Sequence, residues 1–404
     1  MSQEKPIKWG TIVPLIGGMT IGNAKAVGHD PDFLISYEAF GSNDSHCTAY
    51  FEKTPYIIAD AESNMLPSYD QALFEDVDFV SAVCPCAGLS MLNSSRNTSG
   101  MSRGADAAQN DWMYKSARLV LEQVRPKVFW GENAPGLYSK MGEKVVEKLR
   151  AIGKEFGYSF SMVKTNTFLH GIPQNRMRTF YFFWRDTDAP LLNFYERKAP
   201  ILEEYLADVP ADAKHMDQYF GIGRLEESGW FQFAKAKGWS ARKLIESEYK
   251  TIQHWMYGEG LMDEGIAWAE ENGNAGMVKF INHVKNKLSQ GLGYWDGTPL
   301  IFKEATNAII AKNAAIVHPT EERGITLREA MYLMGLPHDF ELQDGHWNHI
   351  CQNVPTTTAA DWTAEVVRYV KGEIQEFGGE FVKQNNINKR IEHTEYAVSS
   401  KSLF

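Results

Sequence analysis

The chain is poor in cysteine, with four in 404 residues, at positions 47, 84, 86 and 351. That number and scatter exclude a disulfide scaffold, and the pair at 84 and 86 lacks clustered partners with which to hold a metal. No apolar run reaches the roughly 18 residues a membrane span requires. No signal peptide is recognisable either, so the expectation is a soluble, cytoplasmic protein with no membrane partner. A basic excess is also missing, the formal net charge being -10. This argues against indiscriminate adhesion to nucleic acid, yet leaves room for a local basic cleft on an otherwise acidic surface. Internal repeats and long low-complexity tracts are absent as well. What remains is an ordinary globular composition, 44% hydrophobic and 23% charged, long enough for a large core and a second domain.

The stretch around which the rest is organised runs from Val80 to Ser90. Val77, Phe79, Val80, Ala82 and Val83 read as the end of a buried strand, and Pro85 stops it by removing a ladder donor. Cys86 therefore falls just beyond a strand terminus, where open α/β sheets put their chemistry. Taken alone, such a thiol serves equally well as a small buried hydrophobe.

Upstream, residues 9–12 read as a strand entering a glycine-rich turn at Ile16, Gly17 and Gly18, followed by a helix. The spacing is not Gly-x-Gly-x-x-Gly, and a purely structural turn would look much the same. A second strand over 33–37 ends at Glu38, 21 positions after Gly17, which is near the separation at which an acid holds a ribose. A helix over 46–51 and a strand over 56–59 then bring Asp60 to another strand end.

Downstream, residues 93–110 are rich in Ser, Asn, Gly and Arg, which suits either a plain connection or a lid. A helix over 112–124 and a strand over 127–131 lead to Glu132 and Asn133. A helix over 142–156 and a strand over 159–165 follow. Arg176 and Arg178 then precede an aromatic strand over 179–184, sharing one face if that piece is extended. After about residue 186 the rhythm changes to helical pieces such as 203–206 and 241–254, glycine turns and scattered aromatics. Lysines at 235, 237, 243, 279, 285, 287 and 303 add positive patches. This is either an ordinary second domain or one that contacts phosphates and bases. Thr326 and Glu329 can form a capping box, a helix is expected near 360–370, and the last 30 or so residues are polar enough to fray.

Pro85-Cys86, then Glu132-Asn133, then Gln174-Asn175-Arg176-Met177-Arg178, in this order, resemble the DNA (cytosine-5) methyltransferases. Residues 16–22 resemble that family's cofactor loop, residues 323–330 with Gly335-Leu336-Pro337 its late Leu-Thr-x-Arg-Glu-Ala block, and Gln352-Asn353-Val354-Pro355 its terminal block. The resemblance implies an α/β, S-adenosylmethionine-dependent methyltransferase fold with a mostly parallel sheet and a smaller target-recognition domain. It implies a catalytic and cofactor-binding domain over 1–185, target recognition over 186–317, a segment over 318–370 completing the catalytic domain, and a polar extension over 371–404.

By the same resemblance, Cys86 is the nucleophile toward cytosine C6, Glu132 binds the N3/N4 edge, Arg178 the O2 side, and Arg176 organises the glutamate and nearby loop. Ile16, Gly17 and Gly18 shape the S-adenosylmethionine loop, Glu38 binds the ribose hydroxyls, Asp60 the adenine amino edge, and Asn353 the methionine end. No metal is implied. The partner is double-stranded DNA, met by a monomer, in a restriction-modification setting. Alternatives are a tRNA cytosine-5 methyltransferase, a C5-pyrimidine enzyme with an unusual donor, and an inactive DNA-binding protein of the same fold. The main departure is Val13-Pro14-Leu15-Ile16-Gly17 where the family has Phe-x-Gly-x-Gly: an aromatic is lost, and Leu15 stands in place of a glycine.

Overall fold

A computed structural model describes residues 5–67, 71–85, 87–90, 107–240, 243, 247–249, 251–293, 300–301, 304–310, 316–343 and 347–395. The chain divides into two compact units, residues 1–199 with 334–404, and residues 200–333.

The first unit is built on a nine-stranded sheet. Its strands are β1 (Trp9–Ile12), β2 (Phe33–Tyr37), β3 (Tyr56–Ala59), β4 (Phe79–Val83), β5 (Val128–Asn133), β6 (Tyr158–Asn166), β7 (Met177–Arg185), β8 (Phe381–Asn385) and β9 (Arg390–Glu395). Their order is β9-β8-β6-β7-β5-β4-β1-β2-β3. β1 to β5 are mutually parallel and β7 runs against both β5 and β6. Every residue of β1, β2, β4 and β5 is buried, as in parallel strands covered on both faces, whereas β3, at the sheet edge, leaves Ile58 exposed. Trp130, Phe182 and Trp184 stack in sequence across β5 and β7 at centroid separations of 5.6 and 5.4 Å.

Register fixes what these strands deliver. Ile12 lies beside Ile35 and Ala82, Val83 beside Glu132, and Asn133 beside Thr179. The carboxyl ends of β1 to β5 and the amino end of β7 therefore share one sheet edge. Sequence order reverses between β1 and β4, which is where open α/β sheets form a crevice.

Helices α1 (Gly18–Val27), α2 (Gly41–Tyr50), α3 (Asp111–Leu119) and α4 (Glu143–Glu155) belong to this unit. α2 begins five residues ahead of its expected start at 46, because a short turn over Glu38–Phe40 runs straight into it. The second unit contains α5 (Leu202–Ala207), α6 (Gly229–Ala236), α7 (Ile252–Gly258), α8 (Met262–Glu271), α9 (Ala275–Ser289) and α10 (Leu327–Tyr332). The helix expected over 241–254 is interrupted: Lys243 is helical, residues 247–249 are not, and α7 begins afresh at Ile252, where the Thr251 hydroxyl accepts from the His254 amide and caps the first turn. Phe233, Trp255, Met256, Met277 and Ile281 form this unit's core. The expected capping box of Thr326 and Glu329 opens α10, and Arg323 grips Glu329 with two bonds of 2.8 Å.

The last helix, α11 (Thr356–Val370), returns to the first unit and lies on α1. Glycine is required at that contact, since a Cβ on Gly22 would overlap the Thr356 carbonyl and Ala359. Beneath it Asn23 donates to Ser81 Oγ at 2.8 Å and accepts from Thr363 at 2.7 Å, so both ends of this buried amide are paired. His170, fully buried, bridges Thr165 Oγ1 (2.7 Å) and Asp361 Oδ2 (2.8 Å), and Arg197 takes the other Asp361 oxygen at 2.7 Å.

The polar tail does not fray through the residues described. β8 pairs in parallel with β6, and β9 returns antiparallel to it. Amide side chains replace the missing apolar signal: Gln384 exchanges two hydrogen bonds with the Leu192 backbone (2.9 and 2.8 Å), and Asn386 donates to Thr165 at 2.9 Å.

Candidate active site

Glu132 is the penultimate residue of β5, buried, with its Oε1 2.6 Å from Arg178 Nε at the start of β7. Burial pushes the Glu132 carboxyl above the usual glutamate value, and the charges of Arg178 and then Arg176 pull it only partly back. Arg178 also donates from Nη1 to the Met177 carbonyl at 2.7 Å, which holds the guanidinium against its own strand.

Arg176 is more deeply buried, 2% exposed, and its role differs from that of its neighbour. It donates from Nη2 to the carbonyls of Cys351 (2.8 Å) and Asn353 (3.0 Å). Two arginines spaced by one residue thus divide the work, one on the glutamate and one on a segment 175 residues further along. Asn133 is turned inward, donating to Met113 Sδ at 3.2 Å and accepting from the Ala134 amide at 2.9 Å.

Strand β4 ends beside Glu132, and Cys84-Pro85 follow it. Burial drives the Cys84 thiol up to about 12, so this cysteine stays protonated and is no nucleophile at neutral pH. Cys86 lies outside the described residues, as do residues 93–106 of the expected lid. On the far side Gly88 sits against Ala107 and Asn110.

On the other flank the β1–α1 turn is tight. Ile16 is buried and Gly17 adopts φ +100°. The Gly18 amide donates to Asn353 Oδ1 at 2.8 Å, and a Cβ on Gly18 would overlap that side chain. Asn353 Nδ2 is buried with no partner among the described residues, an amide donor available to a ligand. Glu38 and Asp60 stand exposed past the ends of β2 and β3. Asp60 Oδ1 accepts from the Ser63 amide (2.6 Å), Ser63 Oγ (2.7 Å) and the Glu62 amide (3.0 Å), contacts that hold its carboxyl below the ordinary aspartate value.

Leu15, the residue in place of the family's glycine, has φ +51°, and Val13 has φ +52°. The loop thus keeps a left-handed backbone that glycine would adopt without strain. Its pin is Asp44, a residue that sequence patterning does not single out: buried on α2, it accepts from the Leu15 amide at 2.8 Å and from the Tyr56 hydroxyl at 2.9 Å. Burial raises its carboxyl to about 6. The available signal was an acid at a helix position otherwise facing the core.

The Type II methyltransferase M.FnuDI of Fusobacterium nucleatum is 33% identical over 118 residues, 28% of this chain and 33% of that protein. M.NmeDI of Neisseria meningitidis serogroup C, also a Type II methyltransferase, is 22% identical over 250 residues, 61% of this chain and 53% of its own length. The chain thus spans between a third and about half the length of these relatives. Among solved structures, a prophage-encoded E. coli protein described as a DNA modification methyltransferase superposes with a TM-score of 0.56 at 16% identity, covering 91% of this chain and 100% of that one. Entamoeba histolytica methyltransferase EhMeth gives 0.51 at 12% identity, covering 92% and 100%. These likenesses show the fold, the α/β fold of S-adenosylmethionine-dependent methyltransferases with its mostly parallel sheet. The model of C-5 cytosine-specific DNA methylases matches residues 15–352, the greater part of the chain, and the protein belongs to that family.

Proposed function

We propose that this protein transfers a methyl group from S-adenosylmethionine to C5 of a cytosine flipped out of double-stranded DNA, through a covalent bond between Cys86 and C6. The observation that carries the reading is the buried Glu132 carboxyl, raised by burial and 2.6 Å from Arg178, at the end of a strand whose neighbour leads into Pro85-Cys86. Cytosine C5 is too weak a nucleophile to be alkylated unaided, and addition of a thiolate at C6 makes it enamine-like. Glu132, holding a proton more readily than an exposed glutamate, supplies it to N3 as electron density moves there from C6. Arg178 offers its guanidinium to O2, and Arg176 fixes the Cys351–Asn353 backbone behind it. A base then removes the C5 proton, and the electron pair left behind expels Cys86.

The donor site fits the chain. Asn353 Nδ2 is an unpartnered buried donor beside the Gly17-Gly18 turn, and Glu38 and Asp60 present acceptors at the next two strand ends. Bound there, S-adenosylmethionine supplies an electrophilic methyl on a sulfonium that leaves as a neutral thioether. Glu38 would take the ribose hydroxyls, Asp60 the adenine amine, Asn353 the methionine end, and Ile16, Gly17 and Gly18 the close backbone approach. The base must leave the duplex for this chemistry, and the second unit is assigned to reading the surrounding sequence. Similarity to Type II methyltransferases and membership of a DNA methylase family favour DNA as substrate and a restriction-modification setting. We assign the protein to the cytoplasm, acting as a monomer on duplex DNA. No helix among the described residues is long and apolar enough to cross a membrane.

The test incubates the purified protein, alongside Cys86→Ala, with labelled S-adenosylmethionine and duplex DNA or tRNA. C5-methylcytosine in DNA that requires Cys86 is expected. Label in tRNA alone, or none in diverse DNA despite cofactor binding, overturns the assignment.

A further inference from the structure

Resting on that donor reading, we propose that Trp112 supplies the aromatic face against which the donor's adenine stacks, the surface that the Val13 position does not provide. Val13 is fully buried in the apolar core and has no π-face to offer a base. Trp112, in the first turn of α3, is half-buried. Its ring centroid is 5.0 Å from Tyr37 and 4.8 Å from Phe40, residues on either side of Glu38, at interplanar angles of 48° and 69°. Both neighbours are buried and meet the indole in tilted and edge-on contacts, the Lys115 ammonium lies over the ring 5.3 Å from its centroid, and the residue stays partly exposed.

The turn that carries Trp112 is tied to the second acid as firmly as to the first. Lys115, three residues on, donates from Nζ to the Ala61 carbonyl at 2.7 Å, immediately after Asp60. Asn64 donates to the Lys115 carbonyl at 3.1 Å and accepts from the Tyr37 hydroxyl at 2.9 Å, closing a ring of contacts from β2 through the 60–65 turn to α3. Trp112 is thereby held beside the two turns that carry Glu38 and Asp60, whose carboxylates suit opposite ends of an adenosine. Glu38 can accept from a diol, and Asp60 Oδ2 can accept from an exocyclic amine while Oδ1 is taken up by its own turn. A planar, electron-rich surface beside a diol acceptor and an amine acceptor is complementary to a nucleoside.

The experiment measures binding of S-adenosylhomocysteine to the full chain by calorimetry, for wild type, Trp112→Ala and Trp112→Phe, with adenosine as a second probe. Loss of one stacking surface corresponds to a roughly 5- to 150-fold weaker affinity. Trp112→Ala is therefore expected to weaken both probes by at least about 5-fold, with Trp112→Phe restoring most of the loss. A spectroscopic readout separates direct contact from a packing role. S-adenosylhomocysteine should quench part of the wild-type tryptophan emission, and Trp112→Phe should bind the ligand without that component. Wild-type affinity in a folded Trp112→Ala, or unchanged quenching in Trp112→Phe, overturns the proposal while leaving the donor reading intact. Failure of the wild-type chain to bind S-adenosylhomocysteine overturns both.

Discussion

Replacing Leu15 by alanine and, separately, by glycine isolates the cost of its backbone from the value of its side chain. Leu15 is 4% exposed and belongs to the main core, so either truncation forfeits the packing of a buried leucine, roughly 3–5 kcal/mol. At an ordinary φ the glycine variant would be the weaker by about 0.5–1 kcal/mol, because glycine surrenders more conformational freedom on folding. At φ +51° the order reverses. A Cβ in the left-handed region costs roughly 1–2 kcal/mol, and glycine escapes it. The difference between those two terms leaves Leu15→Gly more stable than Leu15→Ala by about 0.5–1 kcal/mol. Urea unfolding of both variants, compared at equal slope, reads this directly from the midpoints. An alanine variant as stable as the glycine variant, or more so, would falsify the claim that the loop holds a glycine-like backbone with a leucine in it.

Glu132→Gln keeps the shape of the side chain but cannot pass a proton to N3, so methyl transfer is expected to fall by roughly 10²–10⁴-fold with S-adenosylhomocysteine affinity unchanged, as separate turnover and binding assays would show. His170 is buried neutral, and burial holds its pKa below 6.5. The unfolded chain therefore takes up the proton first, and stability is lost as pH falls through about 6.5. Melting temperatures from pH 8 to 5 should show a decline that is shallower in His170→Gln. In the second unit Lys237 and Lys285 are paired with Glu264 and Asp263, whereas Lys279 lies on the side of α9 opposite the buried Met277, Ile281 and Val284 and Lys287 on its flank. Changing these two to glutamine should weaken DNA binding across sequences and flatten its salt dependence by roughly 0.9 for each phosphate no longer neutralised; an unchanged slope refutes the assignment. Gly22→Ala should destabilise the protein by roughly 1–3 kcal/mol, since its Cβ meets the Thr356 carbonyl. A melting temperature equal to wild type contradicts that packing.

The strands that carry the site were legible because parallel strands buried on both faces must be apolar throughout. β1, β2 and β4 stand out as short apolar runs with an acid or a proline soon after them. The shared sheet edge follows from those ends once the strands pair. β8 and β9 were not legible, because Phe381-Val382-Lys383-Gln384-Asn385 satisfies its buried positions with amides whose partners are distant in the chain. Local pattern also concealed the division of labour between Arg176 and Arg178, since only the fold reveals that one of them reaches Cys351 and Asn353. Asp44 escaped notice for a similar reason: it falls ahead of the helix expected from 46, and only the fold extends α2 back over it and sets the Leu15 amide opposite.

The hydrogen bond between the Gly18 amide and Asn353 spans 335 positions of sequence, and the pairing of β8 with β6 joins residues 381–385 to residues 160–164. Pairings this far apart impose an order on biosynthesis. At about 5–20 residues per second, a ribosome exposes the β1–α1 turn many seconds before it makes the asparagine that closes it. Through the latter part of that interval the nascent chain holds Glu132 and Arg178 but has no partner for the Gly18 amide and nothing to cover one side of β6. Completion of the turn is thus one of the last events in making the protein, and a chain cut short before Asn353 lacks it altogether.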